Sequence, residues 1–444
     1  MQRILYEEKD INPLTLRPIP EVIATIQQAN GFTQELLHEL SELSKISTCF
    51  QIFPVTYETV LQITQTLLVL LQQFGIGPLY VKKIFITLSN IFVTLPKQLH
   101  APVVAQDVVS AAMFFAKKRQ PLSLPFVLLF LTNLIGDEEH EIPVDKIFEL
   151  GLVELLSQMN AEGFIDEDTE DAYATCFCNI MKSLNKRQNV EFLQPIIPLK
   201  LLYTKNEHAL ADTCWGIMMF CKNTQLFDIL IRMNVFPRLV EILDEQHPQT
   251  ELPILKIFDN FAYEDEKFFK YFIQIGVLEK LKTLILSPKT NECILERCTF
   301  IVSNLSVTPE FVQLLMENQI ITILIDKYFL QSENVKTEIR WTVVNFLIVA
   351  DDLMIFELIN NERIFSLFAD FDVKDERIVR LYLSGLLKII LVGEKGGVVE
   401  KMKEAGCAEC VANYTHHHDA EISRVAFAIS RTFFDKQNEY DELN

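Results

Sequence analysis

Apolar residues recur along this chain three and four apart, the spacing of one face of a helix. Several of these runs look alike and carry an Asn inside them: ITLSNIF (86–92), LFLTNLI (129–135), FCNIMKS (177–183), KIFDNFA (256–262), FIVSNLS (300–306) and WTVVNFL (341–347). The Asn residues fall at 90, 133, 179, 260, 304 and 345. The step from 179 to 260 is doubled, and the missing position lies near Met219, four residues after Trp215. A second comb, out of phase with the first, places a helix-breaking residue between paired apolar runs at Gly151, Asn234, Gly276, Asn318, Asn361 and Gly406. Gly and Asn tolerate the left-handed backbone that ends one helix and starts the next.

Two markers with a shared period near 42 residues define one unit: helix, break, helix, polar loop, and a third helix bearing the Asn. One such unit reads as Pro309–Asn318, Gln319–Leu330 and Lys336–Ala350. A unit of roughly 40–47 residues with two or three helices is the armadillo/HEAT class, whose members bury their apolar faces by stacking. The expectation is all-α, a right-handed α-solenoid of about ten armadillo repeats over residues 20–434, between a tail of residues 1–19 and an acidic tail of 435–444.

Within residues 338–347, EIRWTVVNFL, the residues Glu338, Trp341 and Asn345 share one helical stripe. A single such stripe reads as a packed Trp, a stray Asn and a surface Glu. Six Asn at one phase are costly to bury unless satisfied, which points to amides exposed along a shared face. An amide both donates and accepts, so it can pair with the main chain of an extended peptide. Packed helices lie roughly 8–10 Å apart, about three residues of extended chain. A Trp one turn earlier offers its face to a Lys or Arg, worth about 0.5–2 kcal/mol, and a neighbouring acid takes the charge. The stripe therefore suits an extended basic peptide.

Composition sharpens this picture. The chain has 444 residues, is 49% hydrophobic, holds only 13 Gly and carries a formal net charge of −20. That charge favours basic partners and disfavours nucleic acid and anionic membrane as partners. The longest apolar runs are short of the about 20 residues that span a bilayer. The start, MQRILYEEKDINPL, lacks the apolar core of a signal peptide, and nine scattered Cys fit free thiols in a reducing compartment. Other motifs are weaker. GCAEC (406–410) with HHH (416–418) sets its ligand pairs closer than structural zinc sites do. GEKGG (393–397) lacks the Lys-Ser/Thr of a phosphate loop, and DEDTED (166–171) lacks the Gly and closing Glu of a calcium loop and reads as a solvated acidic loop. His100, His140 and His208 have no Ser or Cys partner at a motif spacing. No enzyme, cofactor or metal site is expected.

Taken in order, ALADTCWGI (209–217), NVFPRLVEIL (234–243), ELPILKIFDNFA (251–262), DERIVRLYLSGLLKIILVGEK (375–395) and EISRVAFAISRTFF (421–434) resemble the importin-α (karyopherin-α) family, most strongly from about residue 205 on. The resemblance implies a nuclear import adaptor, cytoplasmic and nuclear, that binds nuclear localisation signals and is recycled by a nuclear export receptor. A scaffold that keeps the fold and has lost signal recognition is the alternative. The resemblance assigns a minor-type cargo site to Asn260, Phe300, Asn304, Glu338, Trp341 and Asn345, with Phe300 in place of a Trp. It assigns a major-type site to Asn90, Asn133, Asp137 and Asn179, with Trp215 as either a groove ring or a core ring. The ring positions of that second site hold Ile86, Leu129 and Thr175, so the minor-type site is expected to matter more. Residues 1–20 carry only Arg3, Lys9 and Arg17, unlike the family's basic importin-β-binding segment. Either that segment lies outside this sequence, or importin-β is not used in the usual way.

Overall fold

The computed structural model describes residues 13–51, 55–136, 144–184, 191–221, 226–244, 247–261, 266–371, 373–393 and 397–435. Among them are helices and turns, with no strand. The chain divides into two compact units, Met1–Ile254 and Leu255–Asn444.

The N-terminal unit opens with three helix pairs: α1 (Ile19–Gln28) and α2 (Gln34–Thr48), α3 (Tyr57–Gln72) and α4 (Pro78–Thr94), α5 (Gln106–Lys117) and α6 (Leu124–Ile135). A triplet follows, α7 (Val144–Glu149), α8 (Leu152–Glu162) and α9 (Glu167–Leu184). Two 3-10 helices, Glu191–Ile196 and Leu199–Tyr203, then stand where a repeat's first two helices would be, ahead of α10 (Glu207–Phe220). Next come α11 (Phe227–Arg232), α12 (Val235–Asp244) and α13 (Pro248–Phe261), whose residues from 255 on belong to the C-terminal unit. That unit holds four triplets. They are α14 (Glu266–Gln274), α15 (Val277–Leu286) and α16 (Glu292–Leu305); α17 (Pro309–Glu317), α18 (Ile320–Lys327) and α19 (Glu333–Val349); α20 (Asp352–Leu358), α21 (Arg363–Ala369) and α22 (Glu376–Gly393); and α23 (Val398–Ala405), α24 (Cys407–Tyr414) and α25 (Ala420–Ile429).

These are armadillo-type repeats, and local chemistry sets their ends. Thr33, Thr56, Asn206, Asn291, Asp351 and Asp419 accept main-chain N–H groups at the starts of α2, α3, α10, α16, α20 and α25. Such caps satisfy donors that a helix start leaves without partners. Between first and second helices, Gly151, Asn234, Gly276 and Gly406 adopt the left-handed backbone the sequence predicts. Two positions differ. At 318–319 the positive φ falls on Gln319, while Asn318 folds its side chain back onto the Leu314 carbonyl. Asn361 has no positive φ and instead accepts the Arg363 N–H through its side chain. DEDTED is likewise not a solvated loop. It begins α9, with the Asp166 carboxylate accepting from the Thr169 N–H at 2.8 Å and three further acids in the first turn, where a helix dipole favours negative charge.

Stacking of third helices forms the interior of each unit, in the order α2, α4, α6, α9, α10 in the first and α16, α19, α22, α25 in the second. Third helices approach closely at Gly216 on α10, where an added Cβ would stand 2.4 Å from the Phe177 ring of α9. Cys407 and Cys410 are buried and donate to the Phe365 and Phe371 carbonyls, so they are structural thiols. Among the described residues there is no His/Cys/Asp/Glu cluster suited to a metal, and no helix long and apolar enough to cross a membrane.

Candidate functional site: the polar stripe of the third helices

The predicted stripe exists on the third helices, but its amides are used differently from the expectation. Asn90 is fully buried and Asn133 is 5% exposed. Asn179, Asn260, Asn304 and Asn345 are half-buried. For Asn90, Asn179, Asn304 and Asn345, the side-chain NH2 reaches back to the preceding third helix. Asn90 donates to the Ser44 carbonyl at 3.4 Å, Asn179 to the Thr132 carbonyl at 3.4 Å, and Asn345 to the Ser303 carbonyl and hydroxyl, both at 3.4 Å. Asn304 donates to the Asp259 carboxylate at 3.1 Å. For Asn179, Asn304 and Asn345 the accepting residue stands just before that helix's own Asn. The recurring Asn thus stitches neighbouring repeats together, and long-range bonds from Thr94 to Ser47 and from Thr342 to Thr299 repeat the arrangement with hydroxyls. For Asn90 and Asn133 this corrects the expectation of surface amides: neighbouring helices cover them.

In the N-terminal unit the ring positions are also covered, since Ile86 and Leu129 are 7% and 6% exposed. Asp137 lies outside the described residues. Thr175, also buried, donates its hydroxyl to Asp212 at 2.6 Å. Asp212 precedes the half-buried Trp215 by one turn, and burial pushes its carboxyl above the usual range. His208, one turn before Asp212, pairs with Asp171 of α9 at 3.3 Å, and that bond raises its pKa. Asp212 and Asp171 are therefore engaged by Thr175 and His208 of the unit itself.

The C-terminal unit brings its predicted residues together more openly. Phe300, Glu338 and Trp341 are all half-buried, with Phe300 on α16 and the other two on α19. No hydrogen bond or ion pair reaches the Glu338 carboxylate among the described residues. Its pKa is pushed up from 4.5 to about 7, first by burial, then by the like charge of Glu296; Arg297 opposes this, and Asp259 adds to it. A carboxylate in this setting gains from a cation more than an exposed one does. Trp341, one turn on, has one face beneath the exposed Arg377 guanidinium, 6.0 Å from the ring centre, at the edge of cation–π range. Arg377 is itself held by Asp375 at 2.8 Å.

Sequence reasoning missed Asp259, Glu296 and Arg297. Arg297 pairs with Asp259 at 3.1 Å and lies over the Phe300 ring at 5.1 Å. Burial raises the Asp259 carboxyl, with Arg297 and the Asn304 amide pulling the other way. The available signal was position: Arg297 stands three residues before Phe300, as Glu338 does before Trp341.

No family model matches the sequence, and no curated protein does. Among solved structures, the chain is similar to a crystal structure of an engineered protein from the Northeast Structural Genomics Consortium. The TM-score is 0.71 at 14% identity, covering 92% of this chain and 97% of that one. A designed armadillo repeat protein aligns with a TM-score of 0.45 at 17% identity over 52% of this chain and 97% of its own. Another, in complex with the peptide (KR)4, aligns with a TM-score of 0.44 at 18% identity over 53% of this chain and 97% of its own. At 14% identity the first of these likenesses is one of fold.

Proposed function

We propose that this protein is a binding scaffold that takes an extended basic segment of a partner protein on the third-helix face of its C-terminal unit. The observation that carries this reading is Glu338, a half-buried carboxylate with no hydrogen-bonding or ion-pair partner among the described residues, one turn from Trp341. An incoming Lys or Arg would ion-pair with Glu338 and lay its stem on the indole. The oxygens of Asn304 and Asn345, whose NH2 groups serve the preceding helix, remain suited to accept from a peptide N–H. The finer form of the reading is a nuclear import adaptor for Lys/Arg-rich localisation signals, moving between cytoplasm and nucleus and released by an export receptor. It rests on the ordered resemblance of residues 205–434 and on this site.

A second reading has its own support. Asn90, Asn133, Ile86 and Leu129 are buried, which favours a scaffold whose N-terminal unit no longer reads classical signals. Calorimetric titration with a Lys-containing peptide tests the binding reading. Wild type is expected to bind at pH 8 and Glu338→Gln to lose at least about tenfold; equal affinity refutes it. Import of a signal-tagged reporter into permeabilised cells, with and without added protein, separates the two finer readings.

A further inference from the structure

Arg297 makes, from within the protein, the two contacts that the proposed site offers a bound cation. Its guanidinium covers the Phe300 ring at 5.1 Å and pairs with Asp259 at 3.1 Å. The other Asp259 oxygen is taken by the Asn304 amide at 3.1 Å, so both oxygens of that acid are used. The Arg297 and Asp259 side chains are 28% and 13% exposed, so the pair is largely shielded from water. Charge-assisted bonds of this kind are stronger than neutral ones, and removing one partner from a shielded pair is strongly unfavourable. Arg377 near Trp341 differs: its side chain is 82% exposed, and its carboxylate partner Asp375 lies outside the stripe. Among the described residues, one cation position is thus filled and the next, at Glu338, is open.

We infer that Arg297 is a resident occupant of the position between α13 and α16, so that the C-terminal unit reads one basic side chain, at Glu338 and Trp341, and not an adjoining pair. This rests on the binding reading above. Neighbouring helices stand roughly 8–10 Å apart, so the peptide residue facing Arg297 lies about three positions from the one facing Glu338. The recognised segment would carry Lys or Arg at the open position and a neutral or acidic residue at the other. A run of basic residues would gain little from its second charge.

Calorimetry at pH 8 with nine-residue Ala/Ser peptides decides this. One peptide holds a single central Lys, and others add a Lys or an Asp two or three residues to either side. In wild type a second Lys is expected to improve affinity by no more than about threefold, the residue of long-range attraction to an acidic chain, and an added Asp is expected to be tolerated. In Arg297→Met the second Lys is expected to gain about tenfold or more. Arg363→Met, which removes an equal charge paired with Asp326 elsewhere in the unit, is expected to keep the wild-type pattern. A tenfold gain from the second Lys in wild type, or an unchanged increment in Arg297→Met, overturns the inference alone. Failure of every Lys peptide to bind wild type overturns the binding reading and this one with it. Should Arg297→Met not fold, the wild-type peptide series decides.

Discussion

Replacing Glu338 by Gln is predicted to stabilise the protein above neutral pH while weakening peptide binding at least about tenfold. Burial is the first reason the carboxyl titrates near 7 in place of 4.5, so the folded state favours its protonated form. Below pH 4.5 the group is protonated in folded and unfolded chains alike, and Glu and Gln are nearly equivalent. Between pH 4.5 and 7 the unfolded chain ionises more readily, and the folded state progressively loses stability relative to it. Above pH 7 the loss is complete. At about 1.4 kcal/mol per pH unit its ceiling is about 3 kcal/mol, and solvent screening of a partly exposed group lowers this to about 1–2 kcal/mol. Urea unfolding of wild type and Glu338→Gln at pH 4.5 and pH 8 reads it directly. The variant is expected to match wild type at pH 4.5 and to exceed it by about 1–2 kcal/mol at pH 8. Equal stability at pH 8, or a less stable variant, would refute the account of Glu338 as a carboxylate that burial disfavours in its charged form.

Four other outcomes follow from the same geometry. Peptide affinity is expected to fall about tenfold between pH 8 and pH 6 as Glu338 takes up its proton, with no such fall in Glu338→Gln; calorimetry at the two pH values checks this. Asn90→Ala, at a fully buried amide, is expected to lose about 1–3 kcal/mol in urea unfolding. Asn345→Ala, whose bonds to Ser303 are long, is expected to lose about 0.5–1 kcal/mol and to weaken peptide binding, which Asn90→Ala leaves unchanged. Gly216→Ala forces a methyl to within 2.4 Å of the Phe177 ring, and thermal unfolding is expected to show a loss of about 1–3 kcal/mol.

The repeat was legible because it rests on local rules. Helical spacing, caps such as Asn206 and Asn291, and left-handed residues such as Gly151 and Gly276 act within a few positions of chain. What periodicity could not give is depth. It places Asn90 and Asn345 on equivalent faces, yet the first is sealed between helices and the second half-open, because cover comes from neighbours some forty residues away. The Arg297–Asp259 pair was invisible for the same reason: it joins residues 38 apart. The break at Gln319 was missed because the left-handed residue of a helix junction need not be Gly or Asn. DEDTED was misread because a run of acids suits a helix start as well as a loop.

The central claim is where a peptide sits. A peptide with one Lys flanked by a photoreactive phenylalanine analogue, crosslinked to the intact protein and mapped by mass spectrometry, reports this most directly. The account predicts adducts on α16 and α19, around Phe300 and Trp341, abolished in Glu338→Gln. Adducts on α4, α6 or α9, or an unchanged pattern in the variant, would contradict it.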